Sequence, residues 1–538
     1  MRVLALNFIL FAVCQIVSAQ ELGVYKPLRD GTQDLLRLQD FAIFRSGNYI
    51  YTAPMMKDFS NQGILVARST DYQNWDTRGK AVTVRTPECS SMVWAPDVVE
   101  DNGVYYMFYT GVTQPGPGLW CQRILVASTT DPGNPSSWQR NYNVQFMVDG
   151  QAQSWFRPSH PGHVWSANTW ADCRDAMVLK HKGTWYMFYS GADVGGGICG
   201  VATAPSVLGP WTDHGAVLKL STGIPESCYV LEAPDGSFVM TMNHAGGAPD
   251  GGHKIASATS LVPVDGQPSF GNLRLLTDVG EHYLTGWAHE FIPEEDGTLL
   301  AANLTGYWVN FKKAYFTGRN GHWEIVEKAP RGTVSEAKDW QNNALVNLKG
   351  MVVSAVFASD GVFYIQDDER TGGLRVVGST TGLEVGTRVD VVGRMGTRMQ
   401  SGKPAERQLT ATKITIREQD APPKPLQMQN LSIGGEPRPP FLPGVMNGVG
   451  TNNMGLLARV TGKVTSISSY LFWLDDGSGL VETAGRTGIM VRATMPVPGL
   501  AVGDMVSVTG IIEGNIPFNA PTNRRVVRPR SLGDIVRE

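Results

Sequence analysis

Five acidic residues, Asp40, Asp97, Asp175, Glu226 and Glu290, open five similar stretches of this 538-residue chain. In each, the acid is followed by a short apolar segment, a glycine turn and an aromatic or apolar strand. The stretches read Asp40-FAIFRS-Gly47, Asp97-VVEDN-Gly103, Asp175-AMVLKHK-Gly183, Glu226-SCYVLEAPD-Gly236 and Glu290-FIPEED-Gly297. Carboxyl groups gathered in one place suit cleavage of a glycosidic bond. That reaction passes through an oxocarbenium-like state, so one acid protonates the leaving oxygen while a carboxylate activates water or attacks the sugar. A third carboxylate nearby raises the pKa of the acid by like-charge repulsion. A gap of roughly 6.5–9.5 Å between the two working groups gives inversion, and one of roughly 5–5.5 Å gives retention.

Acids this far apart in sequence meet only if a repeat returns each of them to one place. Each acid precedes a hairpin: a strand, a glycine turn, then an alternating return strand. A third strand follows (ILVARSTD from Ile64, ILVASTTD from Ile124, ICGVATAP from Ile198), and Trp75, Trp138, Trp211 and Trp323 mark the closing segments. Four strands repeated five times predict a five-bladed β-propeller, with blades near 36–80, 92–145, 170–220, 224–276 and 284–328. The first strand of each blade then lines a central channel, and the five acids converge there. A bland alternative is that surface hairpins often begin with acids. Five in register, two of them in the apolar settings WAPDVV and CRDAMV, favour a site.

At these residues the chain resembles glycoside hydrolase family 43 and its relatives, families 32, 62, 68 and 117, all five-bladed propellers. Trp94-Ala95-Pro96-Asp97 with GVYYMFYTG is similar to the second blade of family 43. Cys173-Arg174-Asp175 with GTWYMFYSG resembles the Arg-Asp-Pro motif of family 32, with Ala176 in place of Pro. Glu226-Ser227-Cys228 resembles the segment that bears the acid. The resemblance covers about residues 36–328. It implies that Asp40 is the general base of family 43 or the nucleophile of family 32, that Asp175 orients the site and tunes the acid, and that Glu226 is the general acid. Asp97 matches a structural or substrate-facing position. Asp40 departs from the pattern, standing in LQDFAIF rather than after His or Asn and before Pro, and Glu232, in Glu232-Ala233-Pro234, is a rival to Glu226. Arg174 is a candidate partner for sugar hydroxyls or a salt bridge between blades. Trp94, Trp170 and Trp287 are candidate stacking surfaces or packing groups, and Glu290 is a further candidate contact. His289 is the one candidate ligand for a structural calcium or sodium ion in the channel, and the chemistry requires no cofactor.

Beyond the propeller, expected over 20–332, a second repeat appears. Val-x-Gly-x-Val strands ending in Asp367-Asp368 and Asp475-Asp476 predict two small OB-like β-barrels, over 340–420 and 453–538, joined by a Pro-rich linker at 421–452. Phe363, Tyr364, Phe472 and Trp473 are either a stacking platform or strand residues alternating between core and surface. The barrels are expected to be spacers or to contact a partner protein or glycan. The fold class is therefore all-β, in keeping with 61 Gly, 32 Pro and a charged fraction of only 18%.

Residues 1–19 combine Arg2, an apolar run and Val17-Ser18-Ala19, which predicts a cleaved signal peptide and a secreted or periplasmic protein. No later stretch is apolar enough to span a membrane. Removing Arg2 takes the net charge from −3 to −4, a poor balance for binding nucleic acid. The expected partner is an oligo- or polysaccharide. Cys89–Cys121 and Cys173–Cys199 are candidate disulfides, leaving Cys228 unpaired. Three functions stay open: a hydrolase of arabinose-, xylose- or related sugar-containing glycans, a retaining fructoside hydrolase, and a non-catalytic glycan-binding propeller.

Overall fold

The computed structural model describes residues 21–29, 34–57, 62–84, 89–245, 252–275, 284–319, 321–483, 485–516 and 522–538. The expected signal peptide and part of the loop 244–253 lie outside the described residues. The chain divides into two compact units, the first holding most of the blades and the second the barrels together with residues 232–239 and the 315–326 end of blade 5.

Blade 1 runs Leu38–Ser46, Tyr49–Met56, Gly63–Ser69, Asp76–Thr83, and blade 2 runs Met92–Asp101, Val104–Gly116, Leu119–Thr129, Gln139–Arg140, each strand hydrogen-bonded to the next. Blades 3, 4 and 5 begin with Cys173–His181, Ile224–Glu232 and Trp287–Pro293. The five repeat glycines all adopt positive φ, from +54° at Gly47 to +84° at Gly183, which is why the repeat retains glycine at the turn. The expected last strand of blade 5, around Trp323, is not the strand that lies beside Val309–Lys312. Glu21–Tyr25 takes that place, while His322–Val326 pairs only with the Tyr315–Arg319 end of the same strand.

The first strands of blades 1, 2, 3 and 5 are each interrupted by a bulge, at Gln39/Phe41, Trp94/Asp97, Arg174/Met177 and Trp287/Glu290. At each bulge a non-glycine residue takes positive φ: Asp40 (+34°), Ala95 (+36°), Asp175 (+56°) and Ala288 (+49°), with Ser227 (+48°) the counterpart in blade 4. Such a conformation costs about 1–2 kcal/mol per residue. Bulges re-aim side chains and break strand pairing.

One edge of each first strand has no strand partner, and side chains of adjacent blades satisfy part of it. Val93 N–H donates to Gln62 (3.0 Å), linking blades 1 and 2. Val178 N–H donates to Asp97 (2.6 Å), linking 2 and 3, and Ser227 N–H donates to Asp175 (3.0 Å), linking 3 and 4. Tyr229 donates its hydroxyl to the Phe291 carbonyl (2.5 Å), and Ile43 N–H donates to Glu290, which completes the circuit from 4 to 5 and back to 1.

Neither expected disulfide forms: Cys121, Cys173, Cys199 and Cys228 are buried thiols. Cys173 pairs with Gly191, and Gly191 with Ile198, so Cys173 and Cys199 lie two strands apart. Two strand spacings come to about 10 Å, beyond the roughly 7 Å that a disulfide spans.

The second unit contains two barrels of the same strand order. In the first, Leu345–Phe357 pairs with Val362–Gln366 and with Thr387–Gln400, and Gly373–Val377 runs parallel to Lys403–Gln419. In the second, Leu457–Ser468 pairs with Leu471–Asp475 and Met505–Asn515, and Ile489–Arg492 runs parallel to Arg524–Arg528. The expected alternation of Phe363, Tyr364, Phe472 and Trp473 does not occur, because all four are buried. The Tyr364 hydroxyl lies 2.8 Å from Glu406 and 3.0 Å from Glu513, and Arg486 covers the Trp473 ring at 3.9 Å. No open stacking platform remains at these residues. The stretch 421–452 also differs from a free linker: Ile433 and Val445 are in the core of the second barrel, and Leu426–Gln427 pairs with Ala458–Arg459.

Asp97 is therefore a testable joint between blades. Asp97→Ala leaves the Val98 and Val178 amides without their acceptor and is expected to cost about 2–4 kcal/mol. The measurement is the urea midpoint of unfolding. Asp97→Asn, which keeps an acceptor oxygen, is expected to cost less.

Candidate active site

A cavity of about 510 Å³ receives residues from all five first strands: Asp40, Trp94, Arg174 with Asp175, Glu226 with Ser227, and Trp287. The three acids assigned catalytic roles from sequence thus line one cavity with Trp94, Trp170, Trp287 and Arg174. Asp97 and Glu290 do not line it. The bulge explains this: Asp40 and Asp175 stand at the bulged position, whereas Asp97 and Glu290 come two residues after theirs, at Ala95 and Ala288. Both face the neighbouring blade, Asp97 buried and Glu290 half-buried, so their expected contact with substrate is corrected to a role between blades. Burial pushes Asp97 up to about 7 against the two amides it accepts, and Glu290 is held well above the carboxylate range by burial and by Asp97.

Arg174 organises the trio. The residue is only 8% exposed, and its guanidinium donates to Asp172, to Gln122 (3.3 Å) and to Glu226 (2.6 Å), while its Nε lies 3.7 Å from Asp175. Burial opposes its charge, but Asp175, Asp172 and Glu226 outweigh that and hold it protonated. Its bond to Glu226 is the salt bridge between blades that the sequence left open. Asp175 accepts from the Ser190 hydroxyl (3.0 Å) as well as from Ser227 N–H.

Asp40 opens onto the cavity and is otherwise enclosed by protein. Burial, then Asp175 and Glu226, push it up to about 8, with Arg174 and Lys57 opposing. Glu226 is also raised, by burial first, with Arg174 opposing and Asp175 adding to the rise. Three carboxylates around one guanidinium cannot all stay ionised cheaply, and Asp40 is the group that keeps its proton up to about 8.

Sequence reasoning missed Asp172, Trp120, Tyr307, Asn243 and Lys57. Of these, Trp120, Tyr307, Asn243 and Lys57 line the cavity. Asp172 had a signal: it stands two residues before Arg174, the spacing that puts side chains on one face of an extended segment. His289 is buried, and its Nε2 donates to the Thr285 carbonyl oxygen (3.2 Å). Burial and His253 lower it to about 3, so it is a neutral imidazole. Among the described residues no group of three or more His, Cys, Asp or Glu is arranged to hold a metal ion.

Residues 36–154 match the model of glycosyl hydrolases family 43. With the five blades and the carboxylate cavity, this makes the first unit a family 43-like glycoside hydrolase propeller, and the protein a glycosidase. No curated protein matches the chain. Similar solved structures include an endo-arabinase from Bacteroides thetaiotaomicron (16% identity, 52% of this chain and 94% of that chain, TM-score 0.35). Others are a sucrose-6-phosphate hydrolase from Lactobacillus gasseri (12%, 97% and 91%, 0.43) and an alpha-L-arabinofuranosidase from Lactobacillus brevis (13%, 54% and 94%, 0.38). At these identities and TM-scores the likeness carries no argument about substrate.

The raised Asp40 carboxyl sets a pH dependence. A group raised to about 8 keeps its proton below that pH and loses it above. If the form with Asp40 protonated is the working form, kcat/KM falls as pH passes about 8. A pH–rate profile checks this, and in Asp40→Asn the same limb is expected to move or vanish.

Proposed function

We propose that this is a secreted or periplasmic glycoside hydrolase acting on arabinose-, xylose- or related sugar-containing glycans. In this reading Glu226 is the general acid, Asp40 the base or nucleophile, and Asp175 the carboxylate that keeps the acid protonated. The observation that carries it is the single cavity lined by Asp40, Asp175 and Glu226, with Arg174 bonded to Glu226. The aromatic walls suit the apolar faces of sugars, and the site needs no cofactor for acid–base cleavage. The barrels, with Phe363, Tyr364, Phe472 and Trp473 buried, serve as spacers or protein contacts.

A second assignment exchanges the two roles. Arg174 pairs with Glu226 and favours its ionised form, while Asp40 is the group raised to about 8. Leaving-group dependence separates the two. Wild type, Glu226→Gln and Asp40→Asn are compared on aryl furanosides, aryl pyranosides and polysaccharides. Removing the acid is expected to cost about 10²–10⁴-fold on unactivated glycosides and far less on a nitrophenyl glycoside. Removing the base or nucleophile costs activity on both. The anomer of the first product, read by NMR, distinguishes inversion from the retention expected of a fructosidase. No release from the full panel by folded wild type would overturn the hydrolase reading in favour of glycan binding.

A further inference from the structure

Trp170 stands on the rim of the cavity with 48% of its surface exposed. Its ring lies against Trp120 (5.1 Å between centroids, 31° between planes), and Trp120 meets Trp94 edge-on at 5.3 Å. The Trp170 indole N–H donates to Asp172 Oδ1 (3.0 Å). The same oxygen accepts from one terminal nitrogen of Arg174, whose other terminal nitrogen donates to Glu226 at 2.6 Å. One buried carboxylate oxygen therefore joins a half-exposed indole to the guanidinium that holds Glu226.

We propose that Trp170 is the platform for the leaving-group sugar, and that Asp172 is a positioning residue that keeps this platform and Glu226 in register through Arg174. The inference rests on the reading of Glu226 as the acid. The acid protonates the glycosidic oxygen, so the departing sugar must lie on its side of the cavity. Trp170 is tied to that side through three hydrogen bonds, by way of Asp172 and Arg174. Trp287 is also exposed, but its indole packs edge-on against His253 (5.1 Å), in blade 4. Asp172 is not needed to neutralise Arg174, because Glu226 and Asp175 already face it. Its burial beside a carboxylate trio is unfavourable unless it does something else, and fixing the tilt of the indole against Glu226 is what its contacts achieve. Asp172 also adds negative charge near Glu226, which favours the protonated form that an acid requires.

The test compares arabinotriose with 4-nitrophenyl α-L-arabinofuranoside, whose activated leaving group needs little protonation. Xylotriose and the matching xyloside replace them if those are the substrates released. Trp170→Ala is expected to raise KM for the trisaccharide roughly three- to tenfold and leave the nitrophenyl substrate nearly unchanged. Asp172→Asn keeps the shape and one acceptor oxygen. It is expected to lower kcat on the trisaccharide about tenfold, spare the nitrophenyl substrate, and move the limb of the pH profile that reports Glu226 downward. Equal losses on both substrates with an unmoved pH profile would mean that Asp172 only supports the fold, and would overturn the proposal. An unchanged KM for the trisaccharide in Trp170→Ala would overturn the platform. Glu226→Gln, run alongside, reports on the underlying reading. A loss confined to the trisaccharide keeps Glu226 as the acid, so that failure of the Asp172 or Trp170 variants counts against this proposal alone. Equal loss on both substrates, or an inactive wild type, removes the reading and the proposal together. Trp170→Phe, which keeps a ring without the N–H, gives a second measure if Asp172→Asn fails to fold. It should show the Asp172 signature in kcat rather than the Trp170→Ala signature in KM.

Discussion

A propeller blade turns an unpaired strand edge toward the channel, and much of the first unit follows from how that edge is satisfied. Buried amides without acceptors would cost the fold heavily. The solution here is a circuit of side chains, Gln62, Asp97, Asp175, Tyr229 and Glu290, each hydrogen-bonded to the backbone of the next or preceding blade. Two consequences meet in Asp175. One of its oxygens closes the joint between blades 3 and 4, and its carboxylate is also a wall of the cavity. The site is thus built from the same bonds that hold the ring together.

The second organising feature is charge. Arg174 is the only cation bonded to the trio among the described residues, and it sits between carboxylates from blades 3 and 4. Blade 1 contributes Asp40 without a comparable bond. The inequality between the two working carboxylates therefore has a geometric origin: one faces a guanidinium and the other faces mostly protein. Strain adds to the arrangement, since Asp40 and Asp175 hold positive φ that an ordinary strand residue avoids.

The propeller was legible because its repeat is written twice, in the hydrophobic alternation and in the turn glycines. The trio was legible because Asp40, Asp175 and Glu226 sit near the bulge. What misled was the assumption that five acids at similar offsets from a glycine share one register. A strand has a period of two, so a bulge of one residue sends side chains to another face. Asp97 and Glu290 fell on that other side. The cysteines failed for a related reason, because sequence spacing does not count the strand lying between Cys173 and Cys199. In the barrels, Tyr364 and Trp473 follow strand period well enough, but a partner on the outer face (Glu513 for one, Arg486 for the other) buries positions that periodicity alone would expose. Asp172 was passed over as a charged residue among charged residues, although its spacing from Arg174 puts the two on one face of an extended segment.

The strand Glu21–Tyr25 lies beside Val309–Lys312, roughly 290 residues later in the chain. This has a consequence in time rather than in space. The strand made earliest among those described has no partner until the fifth blade has been synthesised, so the ring cannot close as the chain emerges. Joining two ends so far apart costs loop entropy of about 5 kcal/mol, recovered only when the last blade docks. Blades 1 to 4 can form hairpin by hairpin from local contacts, but closure is a single late event of high contact order. Until it occurs, the edge of blade 5 is open to pairing with the wrong chain.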